Sequence, residues 1–144
     1  MSDLDMIRGI YLSDKTLLIV LVCYTYCERE FDRLIERHLE RPKKTENWLF
    51  KPKLELLYIT GVLPEFLYHN LTVLNKVRNK FTHANGMTLE KINGLDLYKS
   101  PHSTKPVNLI TDTKSALRDK GSYTEEHAAF NLMSYTFDSI REIK

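Results

Sequence analysis

The chain has 144 residues, the size of one ordinary domain and enough to bury a core without disulfides or a structural metal. Its 42% hydrophobic and 28% charged residues, with only 5 Gly and 5 Pro, exclude a disordered, collagenous or low-complexity protein. With 21 basic and 19 acidic side chains the net charge is +2, so no broadly basic surface is available and any polyanion must be met by local placement of charge.

In chain order, Asp3 and Asp5 stand where a signal peptide carries basic residues, and no small-residue cleavage site follows, so secretion is not expected. Ser13 or Asp14 caps a helix expected from about Lys15 to Glu40, with apolar positions Leu17, Leu21, Tyr24, Phe31, Leu34 and Ile35. Its apolar run, Leu17 to Cys23, is shorter than the roughly 20 residues of a membrane span and soon meets Glu28, Arg29 and Glu30. No membrane partner is therefore expected. Cys23 and Cys27, four apart on this helix, read as small core residues in a reducing compartment, which places the protein in the cytoplasm. Pro42 stops the helix.

A short second helix is expected over Phe50 to Thr60, carrying Leu54, Leu57 and Tyr58, with Gly61 at its left-handed end. Pro64 suits the first turn of a third helix, whose stripe Leu67, Leu71, Leu74 and Phe81 runs down to Asn85-Gly86. From there to Tyr123 the pattern loosens into a surface excursion, with short helical pieces after the caps Thr88 and Thr111. Ser122 and Glu125 resemble a capping box for a final helix ending near Glu142, supported by Ala128, Phe130, Leu132, Met133, Tyr135 and Ile140. Residues 1–144 thus read as a single all-α domain, an antiparallel bundle of about four main helices with an irregular excursion before the last.

The chemistry-bearing stretch is Lys76-Val77-Arg78-Asn79-Lys80-Phe81-Thr82-His83-Ala84, at the end of the third helix. Asn75, Asn79 and His83 share one face at four-residue intervals, with Arg78 one residue round and about 7.5 Å along the axis from His83. Three polar groups can converge there. A guanidinium presents a fork of donors to phosphate, and an imidazole titrating near neutrality can take or give a proton. Phosphodiester chemistry without a metal or other cofactor is conceivable with such a set. An Arg and a His five apart are common by chance, and the bland alternative pairs Arg78 with a carboxylate and leaves His83 at the negative helix end. The Asn directly after the Arg makes the pattern rarer.

Arg78-Asn79-Lys80-Phe81-Thr82-His83 resembles the Arg-Asn-x-Phe-x-His signature of the HEPN superfamily, on the expected penultimate main helix of an all-α bundle. Ser13-Asp14-Lys15 leading into a long helix with Glu30-Phe31-Asp32-Arg33-Leu34-Ile35, then Lys53-Leu54-Glu55-Leu56-Leu57-Tyr58-Ile59-Thr60-Gly61, resembles the mannitol operon repressor branch. The likeness covers about residues 13–88 and 122–143. It departs at Thr82, where the family commonly has Ala, and at residues 91–121, longer and more polar than the usual connection. For a catalytic member the resemblance implies a homodimeric, metal-independent endoribonuclease with a composite site. Arg78 would hold the phosphate, His83 would act as acid or base, and Asn79 would orient a group in the site. Lys76 and Lys80 would add RNA-binding charge. A toxin-like member would meet an antitoxin of nucleotidyltransferase type. The mannitol-repressor branch implies instead a noncatalytic transcriptional regulator or a module binding a regulatory protein.

Other features carry weaker signals. Arg29, Arg33, Arg37 and Arg41 form a stripe that can track a phosphate backbone, although Asp32, Glu36 and Glu40 three residues on favour a solvated face of salt bridges. Lys43, Lys44, Lys51 and Lys53 are candidates for local positive charge near the signature. His38, His69, His102 and His127 lack metal-ligand spacing, and Cys23 with Cys27 lacks the further ligands of a zinc site. No phosphate loop, nucleophile elbow or catalytic carboxylate pair stands out.

Overall fold

The computed structural model of the chain describes residues 15–40, 42–84, 86–118 and 121–144. Asp3, Asp5, the expected cap at Ser13 or Asp14, Arg41 and Asn85 lie outside them. Among the described residues the architecture is all-α, with one two-stranded sheet. Helix α1 (Lys15–His38) buries Thr16, Val20, Cys23, Cys27, Phe31, Leu34 and Ile35. Leu17, Leu21 and Tyr24, expected on the core stripe, flank it and are half-buried. Residues 17–22 are apolar all round the helix, so periodicity could not phase that end. Among the described residues no helix is long and apolar enough to cross a membrane.

Helix α2 (Phe50–Ile59) buries Phe50, Lys53, Leu54 and Leu57. It ends as expected at Gly61, whose φ of +81° suits a residue without a Cβ, and the amides of Val62 and Leu63 donate to the Leu57 carbonyl. Helix α3 (Glu65–His83) follows, with Pro64 just outside it as the cap and Leu67, Leu71, Leu74, Val77 and Phe81 buried. Helix α1 packs against both α3 and the last helix.

The segment after α3 is more ordered than the expected irregular excursion. A 3₁₀ turn (Leu89–Lys91) leads to strands β1 (Asp96–Leu97) and β2 (Val107–Asn108), which pair antiparallel, and then to helix α4 (Leu109–Ala116). Leu89, Ile92, Leu95, Leu97 and Leu109 are all buried, yet their spacing mixes three- and two-residue steps with a long gap and so follows no single period, which hid the order. The cap of α4 is Asn108, whose side chain accepts from the Thr111 amide at 3.0 Å; Thr111 sits inside the helix. Helix α5 (Glu125–Met133) is capped by Thr124 rather than Ser122. The Thr124 amide donates to Nδ1 of His127 at 3.3 Å, so an imidazole occupies the place where a capping box normally shows Glu or Gln. Helix α5 continues through a π-helical turn (Ser134–Asp138) into a last turn, Ser139–Arg141. Phe130 is exposed, a correction to its expected inward placement, because Ala128, Ala129, Leu132, Thr136 and Ile140 take the inner face.

The arginine stripe forms different pairs from those expected. Arg33 bonds Glu30 and the Ile140 carbonyl, Arg29 lies over the Tyr26 ring, and Asp32 reaches across to Lys53 of α2 at 2.6 Å. Lys53 is 5% exposed, so it adds little charge to the surface. Its ammonium depends on Asp32, which is itself largely exposed. Asp32→Asn is therefore expected to cost about 1–2 kcal/mol, below the loss for a fully buried pair, whereas Lys53→Met should cost under about 1 kcal/mol. Urea unfolding of the two variants measures the asymmetry.

Candidate functional site

Buried Val77 and Phe81 anchor the C-terminal half of α3, and that anchoring turns Asn75, Arg78, Asn79 and His83 outward. Arg78 is half-buried beside α1. Its Cζ lies 5.0 Å from the ring centre of Tyr24, a cation–π distance. Tyr24 in turn stacks on Phe50 at 4.2 Å, and Phe50 meets Phe31 at 4.8 Å, so the guanidinium rests on a column of aromatic rings rooted in the core. One terminal nitrogen of Arg78 donates to Oδ1 of Asn79 at 3.3 Å. Its Nε is buried with no hydrogen-bond partner among the described residues, an unsatisfied donor in the wall beside α1.

Two acidic groups share this corner. Burial pushes the Tyr24 hydroxyl up to about 12, with the Glu28 charge adding to the rise and Arg78 opposing it. Burial also raises the Glu28 carboxyl above its ordinary value, against the opposing pull of Lys53 and Arg78. A carboxyl raised on folding costs the native state nothing when protonated in both states and increasingly more as pH rises through its ordinary value of 4.5. Glu28→Gln is therefore expected to raise the melting temperature at neutral pH, with the gain fading as the pH falls toward 4.5 and absent below it. Paired melts at neutral and acidic pH measure this.

Arg78 and His83 open on adjoining depressions. The first, of about 430 Å³, has Tyr24, Glu28, Leu49 and Arg78 on its walls. The second, of about 590 Å³, lies between α2 and α3 and has His83 at one end and Glu55 and Thr72 toward the other. Lys51, Asn75 and Asn79 belong to both and form the divide. Arg78, Asn79 and His83 thus do not converge in a single pocket of one chain; the turn of the helix sends the guanidinium toward α1 and the imidazole toward α2.

Lys76 and Lys80 both line the larger depression. Lys76 is also tied down, its Nζ donating to the Asn93 carbonyl, while Lys80 is exposed. Thr82 is exposed, and its hydroxyl donates to the Asn79 carbonyl of its own helix at 3.1 Å, so the departure at this position is accommodated locally. The described residues of this segment, 91–118 and 121, contribute to neither depression. They dock elsewhere on α3, where Nε2 of His69 lies 2.7 Å from the Asp96 carbonyl and the Asn70 side chain bonds both the amide and the carbonyl of Tyr98 at 2.8 Å each.

Cys23 and Cys27 are both buried, with Cys23 Sγ 3.4 Å from the Thr136 hydroxyl. The Cys27 thiol is pushed up by its hydrogen bond with Cys23 and by burial, which suits packing better than ligation. Among the described residues no group of three His, Cys, Asp or Glu is placed to hold a metal ion. Sequence reasoning took Tyr24 for a core position and did not assign Glu28 or Glu55 to the site. Periodicity phases one helix at a time, and the register of α1 and α2 against α3 has no signal in a single sequence. No protein-family model, no curated protein and no solved structure matches this chain.

Proposed function

We propose that the face formed by the C-terminal half of α3 binds RNA and cleaves it without a metal, in a homodimer of HEPN-like type. The observation that carries the reading is the split just described: Arg78 lines one depression, His83 lines the next, and Asn79 links them. A second copy related by a twofold axis would bring the guanidinium of one chain toward the imidazole of the other, which suits a composite site. In the reaction the ribose 2′-oxygen attacks the adjacent phosphorus and the bond to the 5′-oxygen breaks. One imidazole takes the 2′ proton and the other gives a proton to the departing 5′-oxygen. Arg78 holds the phosphoryl oxygens as charge builds on them.

The test is cleavage of mixed single-stranded and transfer RNA by purified protein in excess chelator, beside His83→Ala. Wild type should cut and leave 2′,3′-cyclic phosphate ends, and the variant should not. Equal behaviour of the two would overturn the reading.

A noncatalytic module of mannitol-repressor type is the second reading. It is favoured by the neighbouring residues Trp48 and Leu49, 43% and 76% exposed, since Leu49 also borders the Arg78 depression and offers apolar surface to a regulatory or antitoxin protein. Pull-down with the alanine variants at 48 and 49 tests it: a partner retained by wild type and lost by the variants supports it.

A further inference from the structure

The larger depression is polarised in a way that phosphodiester cleavage does not use. At its far end stands Glu55, half-buried, whose Oε1 accepts the Tyr68 hydroxyl at 2.6 Å. Tyr68 is itself fixed by stacking on Tyr58 at 3.9 Å. The carboxylate is thus held in one orientation, and its other oxygen has no hydrogen-bond partner among the described residues. Thr72 beside it donates its hydroxyl proton to the Tyr68 carbonyl at 2.8 Å, so the groove sees only acceptor capacity from both residues. Buried Leu54 contributes an apolar wall between them and the opposite end. That end carries Lys80 and Lys51 with the His83 imidazole beside them, while Lys76, on the wall between, is tied to the Asn93 carbonyl. Thr72 and Lys80 are eight residues apart on α3, about 12 Å along the axis, the reach of one extended nucleotide.

We infer that this groove is a guanine nucleotide site, with the base edge on Glu55 and the phosphate toward Lys80 and His83. Guanine is the base whose Watson–Crick edge places two donors, N1–H and the N2 amino group, side by side, matching the two oxygens of a carboxylate. Adenine and cytosine place an acceptor next to their amino group, and uracil flanks its one N–H with carbonyls, so each sets an acceptor against the Glu55 charge. The volume of about 590 Å³ is in the range of small-ligand sites. Glu55 would then select the base next to the scissile phosphate, or hold a free guanine nucleotide. The inference rests on the reading of this face as a nucleic-acid site, but binding tests it without requiring cleavage.

The experiment is calorimetric titration of the full chain with the 3′-monophosphates of guanosine, adenosine, cytidine and uridine, and with short single-stranded RNAs carrying one guanosine or none. Guanosine monophosphate should bind at least about tenfold tighter than the other three. Glu55→Gln should remove that preference while leaving the weaker nucleotides unchanged, and Tyr68→Phe should reduce it. Thermal melts show that the variants are folded. Tight binding of the mononucleotide with no gain in RNA identifies a free nucleotide as the ligand, and a further gain in RNA identifies a base-selective strand site. Equal binding of all four bases, absence of binding in both arms, or a preference surviving Glu55→Gln overturns the inference. Guanine-selective binding without cutting would retain it and remove the ribonuclease reading; cutting with no base preference would do the reverse.

Discussion

Replacing His83 by alanine is expected to lower RNA cleavage by about 10²-fold or more, the usual loss for a removed acid–base group, and to leave the urea midpoint of unfolding almost unchanged. His83 is exposed at the last turn of α3 and bonds no described residue. Substitution of an exposed side chain at such a position changes stability by no more than about 0.5 kcal/mol. Arg78→Ala should also cost about 10²-fold in rate, with up to about 1 kcal/mol of stability lost as the guanidinium leaves the Tyr24 ring. Arg78→Lys separates the two contributions. It keeps the charge over the ring but loses the fork of donors, including the unpartnered Nε, so stability should recover while cleavage stays impaired. Should either alanine variant change association with a protein partner and leave RNA cutting as in wild type, the catalytic assignment of that residue falls. Single-turnover cleavage and urea titration of the same preparations give both readouts.

Helix α3 was legible because several independent signals agree on it: the stripe Leu67, Leu71, Leu74 and Phe81, with Pro64 before it and Gly86, at φ +69°, after it. The spacing of Asn75, Asn79 and His83 on that helix follows directly, and all three border the same depression. What a single helix cannot encode is its neighbour's register, so the aromatic column under Arg78 and the carboxylate opposite His83 emerged only from the packing. The final helix was legible in type but not in its start, because His127 supplies the cap that Glu normally makes. Phe130 was misplaced because it stands two residues from Leu132 on a regular α-helical stretch, about 200° round the axis, so the two cannot share the inner face. One clue was present and unused: Asn70 is a polar residue among Leu67, Leu71, Val73 and Leu74, on the side of α3 that the stripe buries.

Asn70→Ala is expected to be among the most destabilising substitutions in the chain, at about 2–4 kcal/mol. The side chain is fully buried. It bonds Tyr98 through both its amide and its carbonyl, as a paired strand would, and Nδ2 also approaches the Tyr135 carbonyl of the π-helical turn at 3.4 Å. One amide therefore joins α3, the end of β1 and the last helix. Asn70→Leu restores the volume but still strands the Tyr98 amide and carbonyl without partners. If the polar bonds dominate, leucine should cost nearly as much as alanine, whereas substantial recovery with leucine would show that volume dominates. The loss should begin locally, since residues 91–118 are fastened to α3 through Asn70, His69 and Lys76. Limited proteolysis of Asn70→Ala is accordingly expected to nick this segment before the helices of the bundle. Because none of the described residues 91–118 lines either depression, RNA binding at low temperature should persist in the variant. Loss of binding before any nicking would instead tie the excursion to the site.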